Sequence, residues 1–299
     1  MCAMSWPHGC IRRGERLANH TSFRIGGPAE WLAEPATLEE LVEVLRAATQ
    51  AGLPVSVIGG GTNTLVADRG LRGLVVHLGS GFRTIEAQGA SEAPMAHVSC
   101  GAALLTQRLV ALAAQEGWGD LEALAGLPGQ LGGAVAMNAQ GIGRSIHAIR
   151  IVSFDGSVRQ LTREQLHFTY RYAALPTGII AEVILALTRL PRPEASERIR
   201  QALQYRNKTQ EVGLPSAGCA FKNPPGVSAG RLIDEAGLKG ARIGDAQVSS
   251  RHANFIVNLG QATCDDVLSL MEYVQRQVEV IHRIRLEPEI RLLGEQWTV

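Results

Sequence analysis

The chain lacks a strong excess of charge of either sign. Its 299 residues include 29 Lys and Arg against 28 Asp and Glu, which leaves a formal net charge of +1. No bulk electric field would therefore attract nucleic acid or an anionic membrane, and we expect neither as a partner. Any anionic ligand must be bound by local groups.

Paired cysteines and a targeting segment are missing as well. The segment from Met1 to Arg13 has no apolar core and no small-residue cleavage site, so we expect neither a signal peptide nor an anchor there. The odd number of cysteines, without any C-x-x-C pair, indicates a reducing compartment. They are Cys2, Cys10, Cys100, Cys219 and Cys264. We predict a cytoplasmic protein with no metal site.

One uncharged stretch, from Ala123 to Gly143, is long enough to cross a bilayer. Its glycines and Pro128 interrupt any helix, and lipid could not satisfy the exposed backbone. We expect this stretch to form buried or ligand-facing turns, in pieces too short for a helix.

Helical and strand patterns alternate along the chain and predict an α+β protein. Thr37 to Glu40 reads as a capping box that opens a helix, and Thr263 with Asp266 caps another. Strands are predicted at the following places: residues 55–58, 74–78, 149–154, 158–161, 179–187, 255–257 and 289–291. Pro191 and Pro193 break the pattern, so we place a domain boundary there, with a polar helix after it. A chain of this length has room for two domains or three small ones.

The first strand ends in a run of three glycines, Gly59-Gly60-Gly61, followed by Thr62 and Asn63. Glycines let backbone N–H groups approach phosphate oxygens closely. Neither a Walker sequence nor Gly-x-Gly-x-x-Gly is present, so a P-loop and a Rossmann fingerprint are not supported. On its own, this run is equally well explained as a structural turn.

A second glycine cluster, from Ala125 to Ala139, changes the balance. Two glycine loops in one half of the chain favour an extended ligand, such as a dinucleotide held by two backbone cradles. Tight packing of backbone against backbone is the alternative.

Together with these loops, a series of motifs resembles the UDP-N-acetylenolpyruvoylglucosamine reductase family, in family order from about Asn19 to Gly294. The motifs are Thr21-Ser22-Phe23-Arg24-Ile25-Gly26-Gly27, the Gly-Gly-Gly-Thr-Asn loop, Ala125-Gly126-Leu127-Pro128-Gly129, Gly132-Gly133-Ala134, Phe168-Thr169-Tyr170-Arg171, Pro215 to Pro224, Gly237-Leu238-Lys239-Gly240, His252-Ala253-Asn254-Phe255 and Leu286-Glu287-Pro288-Glu289.

This resemblance implies an FAD-binding region of the vanillyl-alcohol-oxidase type at residues 19–190, made of α+β subdomains at about 19–78 and 79–190. A substrate-binding α+β domain would follow at 195–299. The implied cofactor-binding residues are Ile58, Gly59, Gly60, Gly61, Thr62, Asn63, Gly126, Pro128, Gly129, Gly132, Gly133, Asn138 and Ile180.

The resemblance also implies a reaction. NADPH would pass a hydride to FAD, and the flavin N5 hydride would go to C3 of UDP-N-acetylglucosamine enolpyruvate. Cys219 stands at the proton-donor position, where the family usually has serine, and would protonate C2 to give UDP-N-acetylmuramate. A thiol, with a reference pKa of about 8.5, is the better acid of the two. The simpler alternative for Cys219 is a small buried residue.

Two further catalytic residues follow from the resemblance. Arg171 would hold the substrate carboxylate and Glu289 would stand near the developing enol. Either residue could instead be an ordinary charge on a strand. The family's serine two residues after the arginine is Ala173 here, which puts one hydrogen bond near the flavin or substrate in doubt.

The implied substrate-binding residues are Tyr170, Lys222, Asn223, Arg242, His252 and Arg291. For the arginines and the histidine a solvated side chain is the alternative, and for Lys222 it is surface solubility. The chain between Arg171 and Pro215 has little room for the tyrosine-bearing loop that divides the family, so we predict the class without it. We expect a monomer, because no apolar stripe is left over.

Two other functions compete with this one. An oxygen-using flavin oxidase of the same domain type could bind its flavin covalently, but residues 59–65 offer neither histidine nor cysteine. A nucleotide-binding regulator would keep the glycine loops and would not need Cys219, Arg171 and Glu289 together. A yellow protein that NADPH bleaches would exclude both.

Overall fold

The computed structural model describes residue 6 and residues 9–88, 93–209 and 213–294. Cys2 and most of the amino-terminal segment up to residue 8 lie outside the described residues. The six α-helices among the described residues are α1 Leu38–Gln50, α2 Thr106–Glu116, α3 Leu131–Ala136, α4 Arg192–Thr209, α5 Ala229–Glu235 and α6 Cys264–His282. None of them has both the length and the apolar character needed to cross a bilayer.

Strands and helices are interspersed, which confirms the α+β class. The strands of the described residues are β1 Ile11–Arg13, β2 Ala29–Ala33, β3 Val55–Val57, β4 Thr64–Val66, β5 Leu71–Val76, β6 Ile85–Gln88, β7 Met95–Gly101, β8 Ile146–Val152, β9 Val158–Thr162, β10 His167–Thr169, β11 Tyr172–Ala174, β12 Ile179–Thr188, β13 Ser216–Cys219, β14 Arg242–Ile243, β15 Ala246–Val248, β16 Phe255–Asn258 and β17 Arg291–Leu293. Their orders in the sheets are β1-β2-β5-β3, β6-β7-β12-β8-β9, β13-β16-β15-β14, β10-β11 and β17-β4.

The chain forms two compact units. Unit 1 consists of Met1–Arg12, Leu32–Gly60 and Gly73–Arg206, and unit 2 consists of Arg13–Trp31, Gly61–Arg72 and Asn207–Val299. The domain ranges expected from the sequence stay a prediction.

The domain boundary predicted at Pro191 and Pro193 coincides with the start of a helix. Helix α4 begins at Arg192, so Pro193 lies in its first turn. Proline is tolerated in the first turn because its missing N–H would have no partner there.

Helix α1 forms where the sequence predicts it. The Thr37 side chain accepts a hydrogen bond from the Glu40 N–H at 3.2 Å. The return bond of the predicted capping box goes one residue further back, because the Glu40 carboxylate accepts from the Ala36 N–H at 2.6 Å. The buried face of the helix, which includes Leu41 and Leu45, packs into the core of unit 1.

Unit 1 is built on the five-stranded sheet, whose neighbouring strands are all antiparallel. Its central strand β12 buries Val183, Leu185 and Leu187 on one face. The register against β8 shifts between Ile180 and Glu182, which marks an irregularity at Ala181.

Unit 2 is built on the sheet β13-β16-β15-β14, with α5 and α6 contributing to its core. Several apolar side chains of α6, among them Val267, Leu270 and Val274, are fully or almost fully buried, whereas Val280 and Ile281 near its end are exposed. Burial of each such side chain contributes about 1.5–3 kcal/mol. The predicted capping box of Thr263 and Asp266 is present at the start of α6.

Two local predictions were wrong. The glycine-rich stretch does contain a short helix, α3, whose Leu131, Ala134 and Val135 are buried and therefore offset the low helix propensity of glycine. The last strand begins at Arg291, so Glu289 precedes it.

Candidate functional site

The two glycine loops of unit 1 contact each other. Strand β3 is held against β5, and Ile58 extends this pairing because its N–H donates to the Val76 carbonyl at 3.0 Å. A Cβ atom on Gly60 would lie 3.0 Å from the Cα of Gly129 and 3.3 Å from the Gln130 nitrogen. The end of the first strand therefore lies directly against the second glycine cluster.

Packing does not explain all of these glycines. A Cβ atom on Gly133 would meet nothing within 4 Å, and one on Gly59 would meet only the Gln130 side-chain oxygen, at 3.4 Å. Within the described residues, the N–H groups of Gly59, Gly60 and Gly133 donate to no other protein group. Backbone that is open in this way can be approached closely by a ligand with acceptor oxygens.

Other glycines of the second cluster serve the fold. A Cβ atom on Gly132 would lie 2.9 Å from that of Ala102, and one on Gly126 would lie 2.9 Å from Cδ of Arg206. Gly126 and Gly129 also have left-handed φ angles of 70° and 111°. These positions require glycine whether or not a ligand binds.

Thr106 orients the cluster from inside the protein. It is 1% exposed. Its hydroxyl lies 2.5 Å from the Leu127 carbonyl, its N–H donates to the Gly129 carbonyl at 3.0 Å, and both bonds bracket Pro128. The Leu127 and Gly129 carbonyl groups therefore point into the fold.

Ile180 and Asn138 lie beside this loop system. Ile180 is buried and precedes the irregularity of β12, where Ala181 accepts from Ala102 N–H and Ala102 in turn accepts from Gly132 N–H. The Asn138 amide is engaged within the protein, because it donates to Thr169 O at 2.8 Å and accepts from Gly143 N–H at 3.0 Å. Asn138 thus braces the hairpin that follows.

That hairpin, β10–β11, carries Arg171 at its tip. Thr169 pairs with Tyr172, so Tyr170 and Arg171 form the connection. Arg171 has a φ of 57°, in the left-handed region that favours glycine, at a cost of about 1–2 kcal/mol. Its guanidinium carbon lies 5.8 Å from the centre of the Tyr170 ring. A strained arginine beside an exposed aromatic side chain is a candidate for ligand binding.

In unit 2, the end of the glycine run joins the segment of Glu289. A Cβ atom on Gly61 would lie 2.0 Å from the His20 carbonyl, so packing alone requires this glycine. After Thr62, the Asn63 side chain donates to Glu289 O at 3.2 Å, and Asn63 O accepts from Arg291 N–H at 3.0 Å. Asn63 therefore fixes the approach to β17.

Cys219 is the last residue of β13 and is half-buried opposite Phe255 of β16. Gly218 before it has a φ of 76°, and a Cβ atom there would meet only Thr62 O, at 4.0 Å. Both backbone groups of the next residue are bonded: Ala220 N–H donates to Asn254 O at 2.7 Å, and Ala220 O accepts from Glu289 N–H at 2.8 Å. The structure thus brings the Cys219 and Glu289 segments together.

The thiols differ in their surroundings. Burial and the nearby Glu182 carboxylate raise the pKa of Cys100 to about 12, and burial first of all raises the pKa of Cys10 as well. Both thiols therefore stay protonated at neutral pH. Cys264 is buried at the start of α6, where its N–H donates to the Asp68 carboxylate.

Three predicted substrate-binding side chains have protein partners of their own. Asn223 accepts from Ala229 N–H at 3.0 Å and so helps to cap α5. Arg242 donates to Gly244 O and to the Asp245 carboxylate. Lys222 forms an exposed ion pair with Glu287 at 3.1 Å. Exposed pairs of this kind contribute at most about 1 kcal/mol and open readily for a ligand.

His252 is half-buried, and its ring contacts that of Phe255 in a tilted arrangement with ring centres 4.7 Å apart. Burial lowers its pKa, and the charge of Lys239 lowers it further, although a backbone hydrogen bond acts the other way. Its Nδ1 accepts from Asn254 N–H at 3.3 Å, which places the ring proton on Nε2. Arg291 is exposed on β17.

Sequence reasoning did not assign a role to several organising residues. Ser22 donates from its hydroxyl to Ser216 O at 2.6 Å, and Gln130 lies between the two glycine loops. Asn254 and Thr106 are the others. Each of the four contacts a segment far away in sequence. Only the presence of Ser22 and Asn254 within quoted motifs, and of Gln130 between two of them, could have pointed to these residues.

A family model of the UDP-N-acetylenolpyruvoylglucosamine reductase C-terminal domain matches residues 209–293, and a model of an FAD binding domain matches residues 29–162. UDP-N-acetylenolpyruvoylglucosamine reductase 2 of Symbiobacterium thermophilum is 43% identical over 292 residues, 96% of this chain and 93% of that protein. The reductase of Halalkalibacterium halodurans is 38% identical over 294 residues, 96% of both chains.

A solved structure agrees with the sequence matches. The crystal structure of UDP-N-acetylenolpyruvylglucosamine reductase from Thermus caldophilus is 39% identical and superposes with a TM-score of 0.79. The match covers 94% of this chain and 98% of the other.

Proposed function

Because the chain belongs to the UDP-N-acetylenolpyruvoylglucosamine reductase family, we propose that it uses NADPH to reduce UDP-N-acetylglucosamine enolpyruvate to UDP-N-acetylmuramate. The observation that carries the proposal is the relation over 96% of the chain at 43% identity. The open glycine backbone in unit 1 and the Cys219–Glu289 arrangement in unit 2 support it. Membership of this family makes the chain an FAD-dependent oxidoreductase of peptidoglycan precursor synthesis.

The residues of unit 1 fit FAD. Gly59 and Gly133 leave space that no protein atom fills, and their N–H groups are available to a pyrophosphate. When bound, FAD supplies hydride transfer from NADPH to C3 of the enolpyruvyl group. The near-neutral charge of the chain fits a cradle in which backbone N–H groups, rather than lysines or arginines, meet the phosphates.

Cys219 is assigned the proton transfer. Hydride at C3 leaves an electron pair at C2, and the thiol proton forms the new C2–H bond while the S–H bond electrons stay on sulfur. The thiolate is then protonated again from solvent. Its half-buried position at the end of β13 is compatible with both steps.

Arg171 and Glu289 are assigned to charge that develops in this step. A guanidinium can hold the substrate carboxylate in a bidentate fork and stabilise the enolate that builds up on it. Glu289, fixed through its N–H to Ala220 O, belongs near the developing enol. Tyr170 shares the hairpin tip with Arg171, and its exposed ring can pack against the sugar nucleotide.

The remaining assignments concern the sugar nucleotide. Lys222, Arg242 and Arg291 are cations that can meet its diphosphate, and Asn223 and His252 can supply hydrogen bonds. Between β11 and α4 the described chain contains only β12 and its short connections, which supports the class without the tyrosine-bearing loop. We further propose that the enzyme is a cytoplasmic monomer.

An anaerobic spectral titration tests the function. The purified protein should be yellow, NADPH should bleach the visible flavin absorbance, and the enolpyruvyl sugar nucleotide should restore it without oxygen. Restoration by oxygen alone would indicate an oxidase. A colourless protein that binds no FAD would contradict the proposal.

A further inference from the structure

Asn254 has contacts that its place in a motif does not reveal. It lies just before β16 and is 2% exposed. Its side-chain oxygen accepts from Phe221 N–H at 3.0 Å, and its side-chain nitrogen donates to Phe221 O at 2.8 Å. The side chain thus bonds both backbone groups of one residue, as a neighbouring strand would.

These bonds act on the chain directly after Cys219. The Asn254 carbonyl also accepts from Ala220 N–H at 2.7 Å, and the next residue along, Phe255, pairs with Cys219 itself. On the other side, Glu289 N–H donates to Ala220 O. The two peptide groups after the thiol are therefore held by Asn254 on one side and by the Glu289 segment on the other.

We propose that Asn254 is a positioning residue for the proton transfer, because its amide holds the Cys219 thiol and the Glu289 segment in register. The inference rests on the proposed function, which gives Cys219 a proton to transfer. A displacement of reacting groups by about 1 Å lowers a rate on the order of 10²-fold. Loss of this amide should therefore slow proton transfer to the substrate, while hydride transfer from NADPH should not depend on it.

The chemistry of an amide supplies a specific test. An amide offers one acceptor and donors, an ionised carboxylate offers acceptors only, and a protonated carboxylic acid again offers one of each. In Asn254→Asp, the ionised group would face Phe221 O with a second acceptor and repel it. At low pH the protonated group could restore both bonds to Phe221.

Other titratable groups surround the site and must be separated from this effect. His252 lies on the same turn as Asn254, and Cys219, Lys222, Glu287 and Glu289 lie on the segments packed against it. All of these groups are present in the wild type too. The ratio of variant to wild-type rate at each pH therefore isolates the introduced carboxyl.

Asn258 provides a matched control. It is also a buried asparagine, 3% exposed, at the other end of β16, and its amide donates to Phe23 O and accepts from Gly260 and Ala262 N–H. None of these partners lies on the segment directly after Cys219. Asn258→Asp therefore removes a comparable buried hydrogen bond, the one donated to Phe23 O, without releasing the thiol segment.

The experiment is stopped-flow kinetics of the FAD-loaded enzymes, with reduction by NADPH and reoxidation by enolpyruvyl substrate measured separately from pH about 5.5 to 8.5. We expect NADPH to reduce Asn254→Asp at the wild-type rate. Reoxidation of this variant should be about 10²-fold slower than wild type at the highest pH, and most of the rate should be regained at the lowest pH. Asn254→Ser, which keeps one hydrogen-bonding group and cannot titrate, should show a smaller loss at every pH. Asn258→Asp should lower the melting temperature and leave the ratio of the two half-reactions unchanged.

Three results would overturn the inference. They are an undiminished reoxidation rate in both Asn254 variants, an equal loss in both half-reactions, and a loss in Asn254→Asp that does not depend on pH. If Asn254→Asp does not fold, an unchanged reoxidation rate in Asn254→Ser is sufficient to reject it. A wild-type enzyme that NADPH reduces but substrate does not reoxidise would instead contradict the proposed function, and the inference with it.

Discussion

The backbone N–H of Glu289 donates to the carbonyl oxygen of Ala220 at 2.8 Å, one residue beyond Cys219. This bond joins two segments that stand far apart in the sequence and that carry two of the three proposed catalytic residues. Asn63 adds to it by donating to the Glu289 carbonyl. Within unit 2, backbone hydrogen bonds therefore help to fix the positions of the proposed acid and carboxylate.

The glycine cradle predicts opposite effects on folding and on flavin binding for Gly133→Ala. Alanine favours a helix over glycine by about 1 kcal/mol, and the new Cβ atom meets no protein atom within 4 Å. The flavin-free protein should melt at the same temperature or higher, while FAD should bind at least about tenfold more weakly. Thermal unfolding and a fluorescence titration with FAD measure the two effects.

Gly132→Ala is the control for this change. Its Cβ atom would lie 2.9 Å from that of Ala102, so it should lower the melting temperature of the flavin-free protein. Normal FAD affinity in Gly133→Ala would show that the open space beside α3 is not where the cofactor binds.

Arg171→Gly should separate stability from catalysis. Glycine adopts the left-handed conformation of the hairpin tip without strain, so the stability should not fall. Reoxidation by substrate should slow by roughly 10²-fold, because developing charge on the carboxylate loses its partner. Reduction by NADPH should change little. Arg171→Lys, which keeps the charge and loses the fork, should lie between; equal losses in both half-reactions would indicate a structural arginine.

His252 should make the folded protein less stable in acid. Burial lowers its pKa in the folded state, so the unfolded chain binds the proton more readily. The stability that the neutral ring provides is present above its unfolded pKa of about 6.5 and is lost as pH falls through the folded value. The free energy of unfolding, measured with urea at several values between pH about 7.5 and 5, should fall less steeply with falling pH for His252→Gln than for wild type. Identical slopes would mean that other groups cause the loss.

The sequence predicts elements whose signals are local. Helices α1 and α6 begin at Thr37 and Thr263, where a hydroxyl and an acidic residue lie within one turn. Helix α3 was missed because its stability comes from buried contacts and from bonds to residues 102 and 104, which outweigh two glycines. Its existence depends on tertiary packing that no local pattern contains.

The same distinction applies to the site. Motif resemblance identifies Cys219, Arg171 and Glu289 as candidates. Which glycines are open and which are packed against other residues can be seen only in the folded protein. Gly132 and Gly133 are adjacent in the sequence, but only Gly132 faces Ala102. The bonds of Asn254 to Phe221, across 33 residues, likewise become visible only in the fold.

The central claim is that the Cys219 thiol protonates C2 of the substrate, and reoxidation of the NADPH-reduced enzyme by enolpyruvyl substrate in a stopped-flow instrument tests it most directly. Wild type, Cys219→Ser and Cys219→Ala should all be reduced by NADPH at similar rates. Cys219→Ser should remain active because a hydroxyl can donate the proton, whereas Cys219→Ala should be reoxidised about 10²- to 10⁴-fold more slowly, as expected for a lost general acid. Reoxidation of Cys219→Ala at the wild-type rate would show that the thiol only packs and that another acid, with Glu289 the first candidate, supplies the proton.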